Sequence, residues 1–312
     1  MFDIFNKRSN PSEGISQIVR SVFPKRQIRS LHVLEGGRTN SNVLVELENC
    51  NEKFVLRQHL CRQDVCLKEV SVLQLLQGVV PVAKVIDFGT IKDQSHNTYL
   101  LYTYVPGQPF RKIRASGSSR DMADAAFSIG QCLSVLAKID VSSLVDEDPL
   151  QRFGFSTDVL ESPVLRERLG VEDCDLLQRL HSEWLPVLQN FTNEGRLVHG
   201  NFNHRNIVLK KTHKNWEVSG ILDWELATTG CSFLDPARLL CYERPDSKWW
   251  EIAFLEGLQA FSTMLPDNCA DLFRTLNTLS AAESLAKHST RERFVPELRE
   301  LVRAGLRGKR IG

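Results

Sequence analysis

The fold is decided by residues 199–235, HGNFNHRNIVLKKTHKNWEVSGILDWELATTGCSFLD. Two polar clusters adjoin strand-like apolar runs: one spans His199 to Asn206, and the other is Asp223-Trp224-Glu225. The polar turn KTHKN between the runs predicts a β-hairpin. A hairpin would bring Asn206 and Asp223 to the same end, where an amide oxygen and a carboxylate suit Mg²⁺, which keeps substrate phosphates as further ligands. The sequence thus predicts the metal half of a phosphoryl-transfer site.

The spacing of these residues resembles the aminoglycoside phosphotransferase and choline kinase-like families, which are relatives of protein kinases. Their pattern is HGD, four residues and then Asn, a short hairpin, and a D-W/F-E/D triplet. This chain departs from it at one position, because Asn201 stands where those families place a catalytic Asp. The alternative is a chance loop followed by a hairpin, against which the 25-residue register from His199 to Asp223 argues.

The resemblance implies an α+β, two-lobed protein kinase-like fold. A small antiparallel sheet with one helix would form an N-terminal nucleotide-binding lobe over residues 1–105. A larger, mostly helical catalytic and substrate lobe would follow over residues 106–312. The Pro-Gly pair at residues 106–107 is a turn or loop signal, and it places the boundary between the two lobes.

Composition is that of an ordinary globular protein, with 42% hydrophobic and 25% charged residues in 312. A formal net charge of +1 gives no drive toward nucleic acid, and no apolar run approaches the ~20 residues of a membrane span. The N-terminus lacks the features of a signal peptide, and the eight cysteines are scattered without a C-x-x-C pair. We therefore expect a cytoplasmic protein with reduced thiols and neither nucleic-acid nor membrane partners; the oligomeric state stays open.

A glycine-containing turn precedes the first strand-like run of the N-terminal lobe. Glycines let the backbone approach a phosphate closely, and small polar residues add hydrogen-bond donors. Alone, such a turn is more typical of a plain hairpin, and it is no Walker A loop because no Gly-Lys-Ser/Thr follows. The nucleotide-binding candidates here are Gly36, Gly37, Asn40 and Asn42.

Further nucleotide-binding residues follow from the resemblance. Arg57 ends a strand and would contact nucleotide phosphates, and Glu69, on a helix predicted over 64–77, would form an ion pair with it. Tyr102 and Tyr104 lie on a strand, 98–105, that would lead into the hinge that meets the base. Taken singly, these residues fit a surface arginine, a solvated glutamate and an aromatic core strand.

Helical patterns dominate after residue 120. The predicted helices cover 123–139, 174–193 with an interruption near Pro186, 247–264, 267–287 and 291–306. Asp235 matches a family residue that braces the catalytic loop, and it also suits a helix N-cap. No H-R-D, D-F-G or A-P-E set is present, which argues against a protein Ser/Thr kinase.

The chemistry that the resemblance implies is transfer of the γ-phosphoryl group of ATP or GTP to a hydroxyl of a small molecule, such as an antibiotic or a metabolite. Asp223 would be the principal Mg²⁺ ligand and a catalytic residue, and Asn206 the second ligand. Glu225 would support a second metal or position the substrate. His204 would lie toward the substrate, where it could substitute as the base, although a histidine in such a loop more commonly has a structural role. Asn201 would occupy the position of the base without useful basicity, and a general base is typically worth about 10²–10⁴-fold in rate.

Asn201 leaves open a second class of function. The chain could be a nucleotide-binding pseudokinase that serves as a scaffold or regulatory module, since the other candidate residues serve nucleotide and metal in either case. Asn201 fits a natural pseudokinase change, an engineered inactivation or a slow enzyme equally well. The acceptor is also open: residues 231–312 hold 11 acidic and 12 basic residues, which does not predict a polycation site. Trp249-Trp250 is a candidate aromatic cage for a quaternary ammonium group.

Overall fold

The computed structural model describes residues 13–34, 41–59, 63–91, 98–141, 157–192, 195–241, 248–261, 265–287 and 290–308. The chain divides into two compact units. The first comprises Met1–Pro106 and Ser219–Glu225, and the second comprises Gly107–Val218 and Leu226–Gly312. This division differs from the one drawn on sequence, because Ser219–Glu225 belong with the first unit.

The described residues of the first unit form an antiparallel sheet of five strands and two helices. The strand order is β1-β2-β3-β5-β4, and each neighbouring pair is antiparallel. Its elements are α1 (Glu13–Val22), β1 (Ile28–Val33), β2 (Ser41–Leu47), β3 (Lys53–His59), α2 (Gln63–Leu76), β4 (Val85–Thr90) and β5 (Thr98–Thr103).

A core on one face of this sheet involves a helix that the sequence analysis did not predict. Alternate residues of β2, Val43, Val45 and Leu47, are buried, as expected for one face of a strand. Ile15 and Val19 of α1 join the same cluster. The α1 residues form one apolar stripe, so the helix is held by packing against the sheet.

The second unit is mostly helical, with short strands. Its helices are α3 (Phe110–Ser116), α4 (Ser119–Leu136), α5 (Thr157–Leu160), α6 (Pro163–Leu169), α7 (Val171–Thr192), α8 (Leu234–Cys241), α9 (Lys248–Gln259), α10 (Cys269–Ala286) and α11 (Val295–Leu306). Its strands are β6 (Gln108–Pro109), β7 (Arg196–Val198), β8 (Ile207–Lys211), the first half of β9 (Trp216–Ile221) and β10 (Thr228–Gly230). The sheet orders are β6-β8-β9 and β7-β10, so β8 and β9 form the predicted hairpin.

The five predicted helices correspond to α4, α7, α9, α10 and α11, with one correction, whereas α3, α5 and α6 were not predicted. Pro186 lies inside α7 and does not interrupt it. A proline inside a helix costs about 3 kcal/mol, so the surrounding packing must offset that cost. Buried side chains on both sides of Pro186 supply this packing, namely Leu177, Trp184 and Leu188. Among the described residues, no helix has the length and apolarity to cross a membrane.

Helices α4 and α9 pack so closely that each needs a glycine. A Cβ at Gly130 would meet the backbone of α9, and a Cβ at Gly257 would meet the carbonyl of Phe127 on α4. On α9, Trp250 is 1% exposed and stacks on Phe254 with ring centroids 5.1 Å apart, whereas Trp249 is 72% exposed. The two indoles therefore do not form a shared aromatic cage.

Candidate active site

One arginine of the first unit contacts three carboxylates. Nη1 of Arg57 donates to Oε1 of Glu69 at 3.0 Å, which confirms the predicted ion pair. Nη2 donates to Oε2 of Glu225 at 3.0 Å and to Oδ1 of Asp223. The contacts to Asp223 and Glu225 were not predicted, because they join residues more than 160 positions apart.

The cluster carries more negative than positive charge. The side chains of Arg57 and Glu69 are 7% and 2% exposed, while those of Asp223 and Glu225 are 26% and 18% exposed. Burial lowers the pKa of Arg57, but Glu69, Asp223 and Glu225 outweigh burial and raise this pKa above its ordinary value. The guanidinium is thus firmly charged.

His59 completes the cluster, and the sequence analysis missed it. It lies two residues after Arg57 on β3, hence on the same face, and it is 1% exposed. Its Nε2 is 3.2 Å from Oε2 of Glu69, and its Nδ1 is 3.9 Å from Oε2 of Glu225. The sequence signal that could have indicated His59 is the alternation of a strand, in which a residue two positions after Arg57 lies on the same face.

Asp223 is held in an uncommon backbone conformation two residues after β9. Its φ is +71°, in the left-handed region that non-glycine residues seldom adopt and that recurs at functional sites. The next residue, Trp224, is fully buried and fixes the turn from both sides. Its indole N–H donates to the carbonyl of Ile221 at 2.9 Å, and its backbone N–H donates to Glu69 at 3.3 Å.

Of the remaining nucleotide-binding candidates, Asn42, Tyr102 and Tyr104 lie within the described residues. Asn42 pairs with Arg57 across β2 and β3, and Oδ1 of Asn42 is buried with no hydrogen-bond partner among the described residues. Burial raises the pKa of Tyr102, with Arg57 opposing this shift, so Tyr102 lies beside the cluster. Tyr104 is 38% exposed, and its backbone N–H donates to the carbonyl of Lys53 at 2.8 Å. Gly36, Gly37 and Asn40 lie outside the described residues.

In the second unit, Asp235 braces the predicted catalytic loop. Its carboxylate accepts from the backbone N–H groups of His199 at 2.6 Å and Gly200 at 3.1 Å. Burial raises the pKa of Asp235, although these donors and Arg238 oppose the shift. Gly200 has φ +75°, and a Cβ there would collide with the carbonyl of Leu226. The bracing role predicted for Asp235 is confirmed.

Asn201 is held by its neighbours in the loop. Its backbone carbonyl accepts from Nδ2 of Asn203 at 2.8 Å and from Nδ2 of Asn206 at 3.0 Å. Its side-chain oxygen accepts from Asn203 at 3.1 Å. An aspartate oxygen could accept the same hydrogen bond, so the loop geometry suits either residue at position 201.

The predicted metal ligands belong to different units: Asn206 to the second and Asp223 to the first. No group of three or more His, Cys, Asp or Glu side chains is arranged to hold a metal within the part of the chain that the structure describes. A magnesium site of the phosphoryl-transfer type needs only one or two protein ligands, because phosphates and water supply the rest. The pair therefore stays a prediction.

Comparison with known proteins identifies the class of this chain. The model of the phosphotransferase enzyme family (APH) matches residues 30–272, and the chain belongs to this family. Acyl-CoA dehydrogenase family member 10 of Mus musculus is 23% identical over 250 residues, covering 76% of this chain and 23% of that protein. Member 11 of Homo sapiens is 26% identical over 231 residues, covering 70% and 29%. The chain thus spans about a quarter of the length of these relatives.

Similar solved structures confirm the fold class, α+β and protein kinase-like. The GDP complex of wild-type aminoglycoside 2'-phosphotransferase-IIIa has a TM-score of 0.75 and 18% identity, covering 96% of this chain and 99% of that one. A complex of an aminoglycoside phosphotransferase APH(4)-Ia mutant with ADP and hygromycin B has a TM-score of 0.68 and 14% identity, covering 94% and 98%.

Proposed function

We propose that this chain moves the γ-phosphoryl group of ATP or GTP to a hydroxyl group of a small molecule. The observation that carries the proposal is the buried Arg57–Glu69 pair joined to Asp223 and Glu225 in a chain of the phosphotransferase family. The similar structures include GDP and ADP complexes, which supports a nucleotide donor.

Asp223 carries a partly exposed carboxylate, the kind of oxygen ligand that a divalent cation takes. Asp223 and Asn206 would hold Mg²⁺, which neutralises phosphate charge when bound. Glu69 would orient Arg57 toward the phosphates, and Glu225 would support a second metal or position the substrate. The remaining nucleotide contacts that we propose are Gly36, Gly37, Asn40, Asn42, Tyr102 and Tyr104.

In the reaction, the acceptor oxygen forms a bond to the γ-phosphorus while the bond from that phosphorus to the β–γ bridging oxygen breaks. The leaving nucleoside diphosphate keeps the electron pair. The amide oxygen of Asn201 accepts a hydrogen bond from the acceptor hydroxyl and orients it, but the amide cannot take the proton, which passes to water. Positioning and electrostatics carry most of such catalysis. Loss of the base therefore lowers the rate of transfer without abolishing it, and the chain is a slow enzyme.

The test begins with calorimetric titration of ATP and GTP, with and without Mg²⁺. Turnover is then measured in the chain and in Asn201→Asp, which should be faster by about 10²–10⁴-fold. The matched control is Asn215→Asp, the same change in an exposed turn of the second unit, which should leave turnover unaltered. Equal turnover in the chain and in Asn201→Asp would remove the base position from residue 201.

Asn201 also favours a second candidate, a nucleotide-binding pseudokinase that acts as a scaffold or regulatory module. Binding of Mg-ATP without turnover, in both the chain and Asn201→Asp, would select this candidate. For either function we propose a reducing compartment such as the cytoplasm, because Cys66, Cys174 and Cys231 are buried free thiols.

A further inference from the structure

The two carboxylate oxygens of Glu69 serve different partners within the first unit. Oε1 accepts from Nη1 of Arg57 at 3.0 Å and from the backbone N–H of Trp224 at 3.3 Å. Oε2 faces His59, whose Nε2 lies 3.2 Å away. Both of these facing atoms are buried, and neither has another hydrogen-bond partner among the described residues. Buried polar atoms are in the great majority paired, so these two atoms serve each other, with Nε2 of His59 as the donor.

The contact with His59 fixes the orientation of the Glu69 carboxylate. The last torsion of a glutamate side chain has broad minima, so a carboxylate that is held through one oxygen can still turn. A second contact, through Oε2, defines its plane. His59 is 1% exposed and pairs with Thr98 across β3 and β5, so its ring projects from a fixed strand. Its Nδ1 is 3.9 Å from Oε2 of Glu225, outside hydrogen-bond range, so the contact with Glu69 is the closer of the two.

The orientation of Glu69 affects two parts of the predicted nucleotide site. Through Oε1 it directs Arg57, which we propose as a phosphate contact. Through the same atom it holds the N–H of Trp224, the residue that follows Asp223, the proposed metal ligand with φ +71°. A turn of the carboxylate would therefore disturb a phosphate contact and a metal ligand together.

We propose that His59 is a positioning residue of the phosphotransferase site, which holds the Glu69 carboxylate in the orientation that serves both Arg57 and the Asp223-Trp224 turn. The inference rests on the proposed function, because it gives His59 a role in the binding of Mg-ATP. No step of the transfer passes through the imidazole, and no change in its charge is required. His59 acts through Glu69, so its effect should vanish when the Glu69 carboxylate is removed.

Two amide side chains separate this role from a general need for a buried polar group. In His59→Gln the amide nitrogen lies near the position of Nε2 and can still donate to Glu69, whereas in His59→Asn it lies near the position of Nδ1 and falls short. His59→Leu removes the donor altogether. The matched control is His32→Gln, the same change at an exposed position of β1 in the same sheet.

The first measurement needs no nucleotide. Hydrogen exchange of the Trp224 backbone amide is followed by NMR and expressed relative to the amide of Leu56, a buried residue of the central strand β3. His59→Leu and His59→Asn should speed exchange at Trp224 by about tenfold more than at Leu56, because Glu69 no longer holds that N–H firmly. His59→Gln and His32→Gln should leave the ratio unaltered. A merely structural loss would speed exchange at both amides together.

The second measurement is calorimetric titration of Mg-ATP. His59→Leu and His59→Asn should raise the dissociation constant by about tenfold, because an unpaired Glu69 oxygen no longer fixes the site, whereas His59→Gln and His32→Gln should leave it unaltered. In a Glu69→Ala chain, adding His59→Leu should raise the dissociation constant no further.

Equal exchange ratios of Trp224 to Leu56 in the chain and in His59→Leu would overturn the inference. So would faster exchange at Trp224 without a change in the dissociation constant of Mg-ATP, or an effect of His59→Leu that persists in full in Glu69→Ala. If His59→Leu does not fold, His59→Asn decides the same comparisons against His59→Gln. A chain that binds no Mg-ATP would instead overturn the proposed function, and the exchange ratio would still decide whether His59 holds Glu69.

Discussion

Replacing Arg57 by methionine tests the energetic role of the carboxylate cluster. The change keeps an apolar side chain of similar length but leaves Glu69, 2% exposed, without its guanidinium. Breaking a buried ion pair by removing one partner costs about 3–5 kcal/mol. Asp223 and Glu225 are partly exposed and can recover water, so we expect the lower half of that range.

The free energy of unfolding is measured by urea denaturation followed by circular dichroism, on the whole chain. Total stability is typically about 5–15 kcal/mol, so a loss of about 3 kcal/mol moves the midpoint clearly. The double variant Arg57→Met/Glu69→Leu removes both partners and should lose less than the sum of the two single variants.

Arg20→Met is the control, because Arg20 and Glu13 form an exposed pair with side chains 64% and 72% accessible. Such a pair is worth about 0–1 kcal/mol. If Arg57→Met cost no more than Arg20→Met, or if the double variant were strictly additive, the cluster would not be the tightly coupled site described above.

Two further predictions concern the loop of the second unit. Gly200→Ala should lower the melting temperature far more than Gly78→Ala. Both glycines have positive φ, but only at Gly200 would a Cβ strike the backbone of Leu226. Equal decreases in melting temperature would contradict this close approach. Asp235→Ala leaves the buried N–H groups of His199 and Gly200 without their acceptor and should cost about 2–5 kcal/mol in urea denaturation. A loss under about 1 kcal/mol would show that another group replaces the carboxylate.

Local patterns allowed much of the fold to be predicted. The turn between Leu209 and Trp216 predicted the β8–β9 hairpin, and apolar spacing predicted the long helices. The pairing of Arg57 with Glu69 was also within reach, because the two residues lie 12 positions apart on consecutive elements and match a family order. Each of these signals acts over a short stretch of sequence.

Contacts between distant parts of the chain were not predictable. That Arg57 also reaches Asp223 and Glu225 depends on Ser219–Glu225 joining the first unit, which no local pattern encodes. His59 lies beyond the strand that was predicted to end at Arg57, and its place in the cluster depends on Glu69, whose Oε2 is 3.2 Å from its Nε2. Pro186 misled for the opposite reason, because tertiary packing overrides its local preference.

The first unit is discontinuous in the chain, and this affects its synthesis. Arg57 and Glu69 leave the ribosome long before Asp223 and Glu225, their partners in the same unit. At about 5–20 residues per second, the 119 residues from position 106 to position 225 take about 6–24 s to be made. During that interval a buried cation and its pairing carboxylate exist without the segment that completes their environment. A chain stalled or cut after residue 106 would therefore hold all five strands of the sheet but an arginine that lacks two of its three carboxylate partners, and chaperones and proteases can recognise such an incomplete unit.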